Sequence, residues 1–290
     1  MKIIVKVIFL SSLLLSCSEA KQNSSSSNEV ATAKTIAFTT SMDSLGNEID
    51  SRVPLPEKYE RVTAKEGTFA HYLQNLPLKP VGSKVLLFDG REKYRQDVHA
   101  AVLDIDVGKR DLQQCADAIM RLRAEYLWQQ NRFEEIHFDF NSGFKAEYSR
   151  WRNGERIRVK GNQVNWVKTS SISNSYEVFR KYLTMVFAYA GTYSLAQEMK
   201  PQLLENIEIG NVFIQGGSPG HAVLVVDKAV HSETGETLIL LAQSYMPAQD
   251  IHVLKNWKRP DLSPWYSISD FTYGVSTPEW DFRVSDLKQF

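Results

Sequence analysis

Two cysteines in 290 residues leave little scope for covalent cross-linking, and a disulfide-stapled architecture is excluded. Charge of one sign is equally scarce. Lys plus Arg and Asp plus Glu number 34 each, so no basic surplus exists to neutralise phosphates, and nucleic acid is not an expected partner. No apolar run reaches the ~20 residues that a membrane-spanning helix requires. Glycine-rich phosphate loops and the Gly-x-Ser-x-Gly elbow of serine hydrolases are missing, as is any internal repeat. The six histidines show no metal-ligand spacing, and no metal or cofactor is expected. The nearest approach to a cation site is Asp104 and Asp106 with His99. Hard cations want carboxylate oxygens, but two aspartates at a strand end read first as a solvated edge. Hydrophobic content of 43% and charged content of 23% are those of an ordinary globular protein.

The N-terminus carries a different kind of signal. Lys2 and Lys6 precede Val7-Ile8-Phe9-Leu10-Ser11-Ser12-Leu13-Leu14-Leu15-Ser16-Cys17. A basic start, a short apolar stretch and a small residue before the cut make an export signal. Leu14-Leu15-Ser16-Cys17 resembles the lipobox of bacterial lipoproteins. That resemblance implies cleavage after residue 16 and diacylation of the Cys17 sulfur. The alternative is ordinary cleavage near Ala20. The polar tract from Ser18 through Ser24-Ser25-Ser26-Ser27-Asn28 has almost nothing to bury, so it is expected to stay disordered. The organisation expected is a signal peptide over 1–16, a tether over 17–35 and one α+β domain over 36–290. The chain is expected in the cell envelope, lipid-anchored to the outer membrane of a Gram-negative bacterium. Once Cys17 is lipidated, Cys115 is the only thiol left.

Residues 34–66 hold breakers such as Pro54 and Pro56 and are expected to wrap the surface. Thr68 suits a helix cap for Phe69 to Leu76, ahead of Pro77. Lys84 to Phe88 and Ala100 to Val107 read as strands. Asp111 with Gln114 three residues on reads as a capping box, followed by a helix whose face is Leu112, Cys115, Ile119, Leu122 and Tyr126. Ile136, Phe138 and Phe140 alternate with polar residues, the period of a half-buried strand. A second helix is expected from a cap at Asn174, with Gly191 as its left-handed stop. Val212-Phe213-Ile214, then the almost continuously apolar run from His221 to Asp227, then Leu238 to Gln243, read as a returning sheet. The run at 221–227 suits a strand buried on both faces. The fold class expected is α+β, with helices packed on a mainly antiparallel sheet.

Chemistry concentrates in one order of residues. A cysteine near a helix start precedes, by about a hundred residues, a histidine opening a central strand. A thiol becomes nucleophilic as its proton leaves, and a neighbouring imidazole can take that proton once a third polar group orients it. Cys115, His221 and Gln243 occur in that order. A hairpin turning near Thr234 sets Met246 across from His221, which keeps Ser244 and Gln249 open as the third group. The plain alternative is a packed core thiol, since Cys115 shares a face with Leu112 and Ile119. Tryptophans at Trp151 and Trp265 fall in expected loops, where aromatic rings could hold sugar. His137 and His252 alternate with apolar residues and are expected to face water.

Ile207-Glu208-Ile209-Gly210-Asn211-Val212-Phe213-Ile214 with Gly220-His221-Ala222-Val223-Leu224 resembles the NlpC-type cell-wall peptidases. That likeness implies a papain-like fold and a cysteine hydrolase acting on peptidoglycan peptide, with Cys115, His221 and Gln243 catalytic. The other reading is a non-catalytic lipoprotein that binds glycan or an envelope protein. Over longer stretches, His99-Ala100-Ala101-Val102-Leu103-Asp104-Ile105-Asp106-Val107-Gly108, Asp111-Leu112-Gln113-Gln114-Cys115-Ala116-Asp117 and Ala242-Gln243-Ser244-Tyr245-Met246-Pro247-Ala248-Gln249 resemble a family called domain of unknown function 4846. That resemblance implies an envelope lipoprotein and supplies no site residues.

Overall fold

The structure is a computed structural model that describes residues 46–290. The expected signal peptide, Cys17 and the tether fall outside those residues. Nine strands form the main sheet: β1 (Tyr59–Arg61), β2 (His99–Val102), β3 (Lys200–Pro201), β4 (Val212–Gln215), β5 (His221–His231), β6 (Thr237–Gln243), β7 (His252–Leu254), β8 (Tyr266–Ser267) and β9 (Leu287–Gln289). Their order is β2-β7-β6-β5-β4-β9-β3, with β1 beside the far half of β5 and β8 beside the start of β6. Every pairing in this sheet is antiparallel. The described residues are thus α+β, with helices on a mainly antiparallel sheet.

The alternation of side chains across β5 explains why the run at 222–226 is continuously apolar. Ala222, Leu224 and Val226 enter the core on the helical face. Val223 and Val225 enter a second core with Phe213, Ile239, Leu241, Phe271 and Phe282. Both faces are covered, so neither set of alternate residues can be polar.

Among the described residues six α-helices accompany the sheet: α1 (Ile49–Arg52), α2 (Phe69–Gln74), α3 (Cys115–Gln129), α4 (Tyr148–Arg152), α5 (Tyr176–Tyr189) and α6 (Thr192–Glu198). Helix α2 starts as expected: the Thr68 hydroxyl accepts from the His71 N–H at 3.2 Å. Two further hairpins, 137–147 and 155–168, flank α4.

Several local expectations are corrected. Segment 34–66 does more than wrap the surface, because β1 joins the sheet against His231, Val230 and Ala229. Arg61 pins it, its Nε 2.7 Å from Oδ2 of the buried Asp227. Lys84 to Phe88 forms isolated bridges (Leu86 with Glu92, Leu87 with Gln249) and no strand, since its partners are single residues of irregular segments. Helix α5 is capped by the Ser175 hydroxyl rather than Asn174, and it ends in extended backbone at Ala190. Gly191 is extended as well and caps α6. His252 is wholly buried in β7, and Trp151 and Trp265 are core residues. The alternation at 252 is that of a strand covered on both sides, so the polar position faces protein.

Candidate active site

Helix α3 begins three residues later than the spacing of Asp111 and Gln114 suggests. Gln114 is the N-cap, and Asp117 Oδ2, three residues on, accepts from the Gln114 N–H at 3.1 Å. Asp111 is used elsewhere: its Oδ1 accepts from the Ala248 N–H at 2.7 Å and from Gln114 Nε2 at 3.0 Å. Cys115 is therefore the first residue of the helix, where the amides are unpaired and the dipole is positive. Leu112 lies before the helix, so it does not share a helical face with Cys115. The residue is half-buried, and its sulfur meets protein more than solvent.

Cys115 and His221 line one cavity of about 490 Å³. Its walls come from the N-terminus of α3, the segment 190–193 that leads into α6, the loop 217–220, Tyr245 and Trp280. Gly220 allows that crowding: a Cβ there would stand 2.6 Å from the Gly217 carbonyl oxygen and 2.4 Å from Thr192 Oγ1. Gly210, in the turn before β4, has φ +95 and Phe69 at 3.0 Å from the same imaginary atom. Both features admit glycine alone.

His221 is the first residue of β5. Its Nε2 lies 2.8 Å from Gln243 Oε1, at the end of β6. The two are diagonal neighbours, because a bulge between Leu240 and Leu241 sets Ala242 opposite Leu224. That register carries Tyr245, and not Met246, across from His221. The Tyr245 ring lies 4.7 Å from the imidazole, Trp280 5.4 Å and Phe282 5.9 Å. Ser244 and Gln249 do not reach the histidine. The Ser244 hydroxyl donates within hydrogen-bond distance of the Gln113 and Gln249 carbonyls, and Gln249 Nε2 donates to the Pro247 carbonyl.

Burial sets the protonation states. Desolvation pushes the Cys115 thiol up to about 11, and the nearby Asp117 carboxyl acts in the same direction. Backbone amides of Ala116 and Ala222 pull it partly back. Desolvation lowers His221 to about 4, against the hydrogen bond it donates to the Gln243 oxygen. At neutral pH the pair is a thiol and a neutral imidazole. Such a pair can work as nucleophile and base only if the proton moves as the sulfur attacks.

Asp104, Asp106 and His99 do not converge. Asp106 binds Arg121 and Arg180 at 3.1 and 3.0 Å, and His99 Nε2 meets the Ser83 carbonyl at 3.0 Å. A larger cavity of about 630 Å³ lies over Tyr72, Arg121, Glu125 and Tyr176, away from the thiol. Arg121 is fully engaged there by Glu125, Asp106, Gln113 and Tyr176.

The model of the family described as domain of unknown function 4846 matches residues 49–289. The chain belongs to that family. No curated protein and no solved structure matches it. Among the described residues no helix is long and apolar enough to cross a membrane.

Within this family member, four groups at the site escape sequence reasoning. Asp117 is buried, with Oδ1 unpartnered and the carboxyl held well above the usual range by desolvation. Its i+3 relation to Gln114 is a capping signal that the stronger-looking Asp111 pattern hid. Trp280 donates from Nε1 to Gln215 Oε1 at 2.9 Å, and Lys93 and Glu279 meet at 2.7 Å beside Gln243. Those three come from segments without periodicity, so no spacing announces them.

Proposed function

We propose that the chain is a lipid-anchored envelope protein carrying a papain-like cysteine hydrolase site that acts on cell-wall peptide. The observation that carries the reading is the shared cavity of Cys115, first in its helix, with His221, whose ring is held by Gln243. In this reaction the thiol proton passes to His221 as the sulfur attacks a peptide carbonyl carbon. The tetrahedral intermediate collapses to a thioester. The amine leaves with the proton returned by the imidazolium, and water, deprotonated by the same ring, releases the acid. Amides at the start of α3 would face the developing oxyanion. The export signal and the lipobox-like Leu14-Leu15-Ser16-Cys17 supply the address, and with it the class of substrate.

The test is incubation of the protein with peptidoglycan-derived peptides and detection of new amine and carboxyl ends by mass spectrometry. Cleavage by the wild type and its loss in a folded Cys115→Ala variant support the reading. Equal products from both proteins, or none from either, overturn it. The anchor is tested separately. Membrane-extracted protein should begin at Cys17 with two acyl chains, and Cys17→Ala should release it; buried acyl methylenes contribute ~0.8 kcal/mol each. A water-soluble chain that retains residues 1–16 would reject the anchor.

A second reading has its own support. The thiol is pushed up to about 11 and makes no hydrogen bond with His221. On that ground the cavity would bind glycan or an envelope partner without chemistry. Binding of muropeptides unchanged by Cys115→Ser, with no turnover, would select it.

A further inference from the structure

The amide of Gln243 has two unlike ends, an oxygen that only accepts and a nitrogen that only donates. The nitrogen lies 2.8 Å from Glu279 Oε2 and 3.4 Å from His252 Nε2. The oxygen lies 2.8 Å from His221 Nε2. Which end points which way is settled by the neighbours, since shape alone does not distinguish them.

Glu279 decides first. Its carboxylate oxygens accept from Lys93 Nζ at 2.7 and 3.0 Å, and the two side chains are 11% and 7% exposed. A carboxylate bonded to an ammonium has only lone pairs to offer Gln243, so the amide must turn its nitrogen that way. His252 favours the same orientation more weakly, its Nε2 lying at the outer limit of a hydrogen bond. Its Nδ1 lies 2.9 Å from the Asp250 carbonyl oxygen, so Nδ1 carries the proton and Nε2 is left to accept. Both neighbours thus demand hydrogens from Gln243, and the amide has two. The oxygen is left for His221, whose Nε2 must then bear hydrogen. The remaining nitrogen, Nδ1, keeps the lone pair and has no hydrogen bond to the described residues.

We propose that Lys93 and Glu279 are a positioning pair, acting through Gln243 to hold His221 in the tautomer whose free base is Nδ1. The catalytic consequence rests on the hydrolase reading above; the tautomer itself does not. The two residues are 186 positions apart in sequence. Lys93 and Glu279 belong to irregular segments at opposite ends of the domain, yet they meet at one amide. Lys93 also lies 5.1 Å over the Tyr245 ring, which packs on the imidazole.

The experiment is nitrogen NMR of the full-length protein labelled at histidine, at pH 7. Wild type is expected to show His221 protonated at Nε2 and His252 protonated at Nδ1. In Lys93→Met with Glu279→Leu, where no buried charge is left alone, His221 should become a mixture of tautomers. His252, fixed by Asp250, should not change and serves as the internal control. Glu279→Gln keeps an acceptor oxygen toward Gln243 and should restore the wild-type pattern. Wild-type His221 protonated at Nδ1 overturns the proposal, and so does a double variant that still shows pure Nε2–H. Should the double variant not fold, the wild-type spectrum alone decides. If peptide is hydrolysed, kcat should fall in the double variant by on the order of tenfold or more with KM nearly unchanged, and recover in Glu279→Gln. A chain that never hydrolyses peptide refutes the hydrolase reading and leaves the tautomer measurement standing.

Discussion

Cys115 combines a position that favours a thiolate with surroundings that oppose one. The helix start and nearby amides stabilise negative charge, while burial and Asp117 raise the thiol to about 11. Burial wins because few solvent molecules reach the sulfur. Alkylation by iodoacetamide should therefore accelerate about tenfold per pH unit from 7 to 10, since only the thiolate reacts. A rate that levels off near neutral pH would reject this balance. Asp117 makes the complementary case. Desolvation holds its carboxyl well above the ordinary 3.8 in the folded chain, whereas the unfolded chain ionises it near that value. A raised folded value contributes stability below the unfolded one and loses it as pH rises. Asp117→Asn keeps the acceptor for the Gln114 N–H and removes that loss. It should raise Tm at pH 7 by roughly a few degrees. The gain should vanish below about pH 4. Lower stability at pH 7 would show that the carboxyl is ionised in the fold.

Elements place these residues through their ends more than their middles. Helix α3 puts the thiol at the cavity because its cap is Gln114; a start at Asp111 would have turned the same sulfur into the core. Helix α2 depends on Thr68, and Thr68→Ala should cost ~1 kcal/mol in chemical denaturation. A change below a few tenths would mean that water replaces the cap. The approach to β5 depends on Gly220, whose missing side chain lets the loop 217–220 fold against Thr192. Gly220→Ala should destabilise the protein by ~1–3 kcal/mol, the usual range for overpacking, and should disturb His221. Retained stability together with an unshifted His221 NMR signal would show that the loop gives way easily.

Across the whole molecule, the sheet buries two neutral imidazoles that the unfolded chain would protonate. His221 is lowered from 6.5 to about 4 and His252 to about 3, both chiefly by desolvation. A lowered folded value gives stability that is complete above about 6.5 and is lost as pH falls toward 4 and then 3. Asp117 and Asp227, both raised by burial, act in the opposite direction over part of that range. Asp117→Asn should therefore lose stability more steeply than wild type between pH 6.5 and 4. Urea midpoints at pH 6.5, 5.5 and 4.5 measure it, and parallel curves for the two proteins would reject the opposition.

Local patterning alone located the helices near 69–76 and 174–190, the short strand near 136–140 and the strands near 212–214, 221–227 and 238–243. Their periodicity is dictated by which faces meet protein. It also determined that His221 opens the central strand and that Cys115 lies near a helix start. The stretches shared with the family were legible for the same reason: they are contiguous. Tertiary structure decided the rest. One bulge in β6 moved Tyr245 across from His221 and still let Gln243 reach it, a shift that no turn-counting anticipates. Long-range contacts brought Lys93 and Glu279 to one amide, buried His252, and placed Trp151 and Trp265 in the core. Those outcomes depend on desolvation and hydrogen bonding between segments far apart in sequence, which act only after the chain has closed on itself.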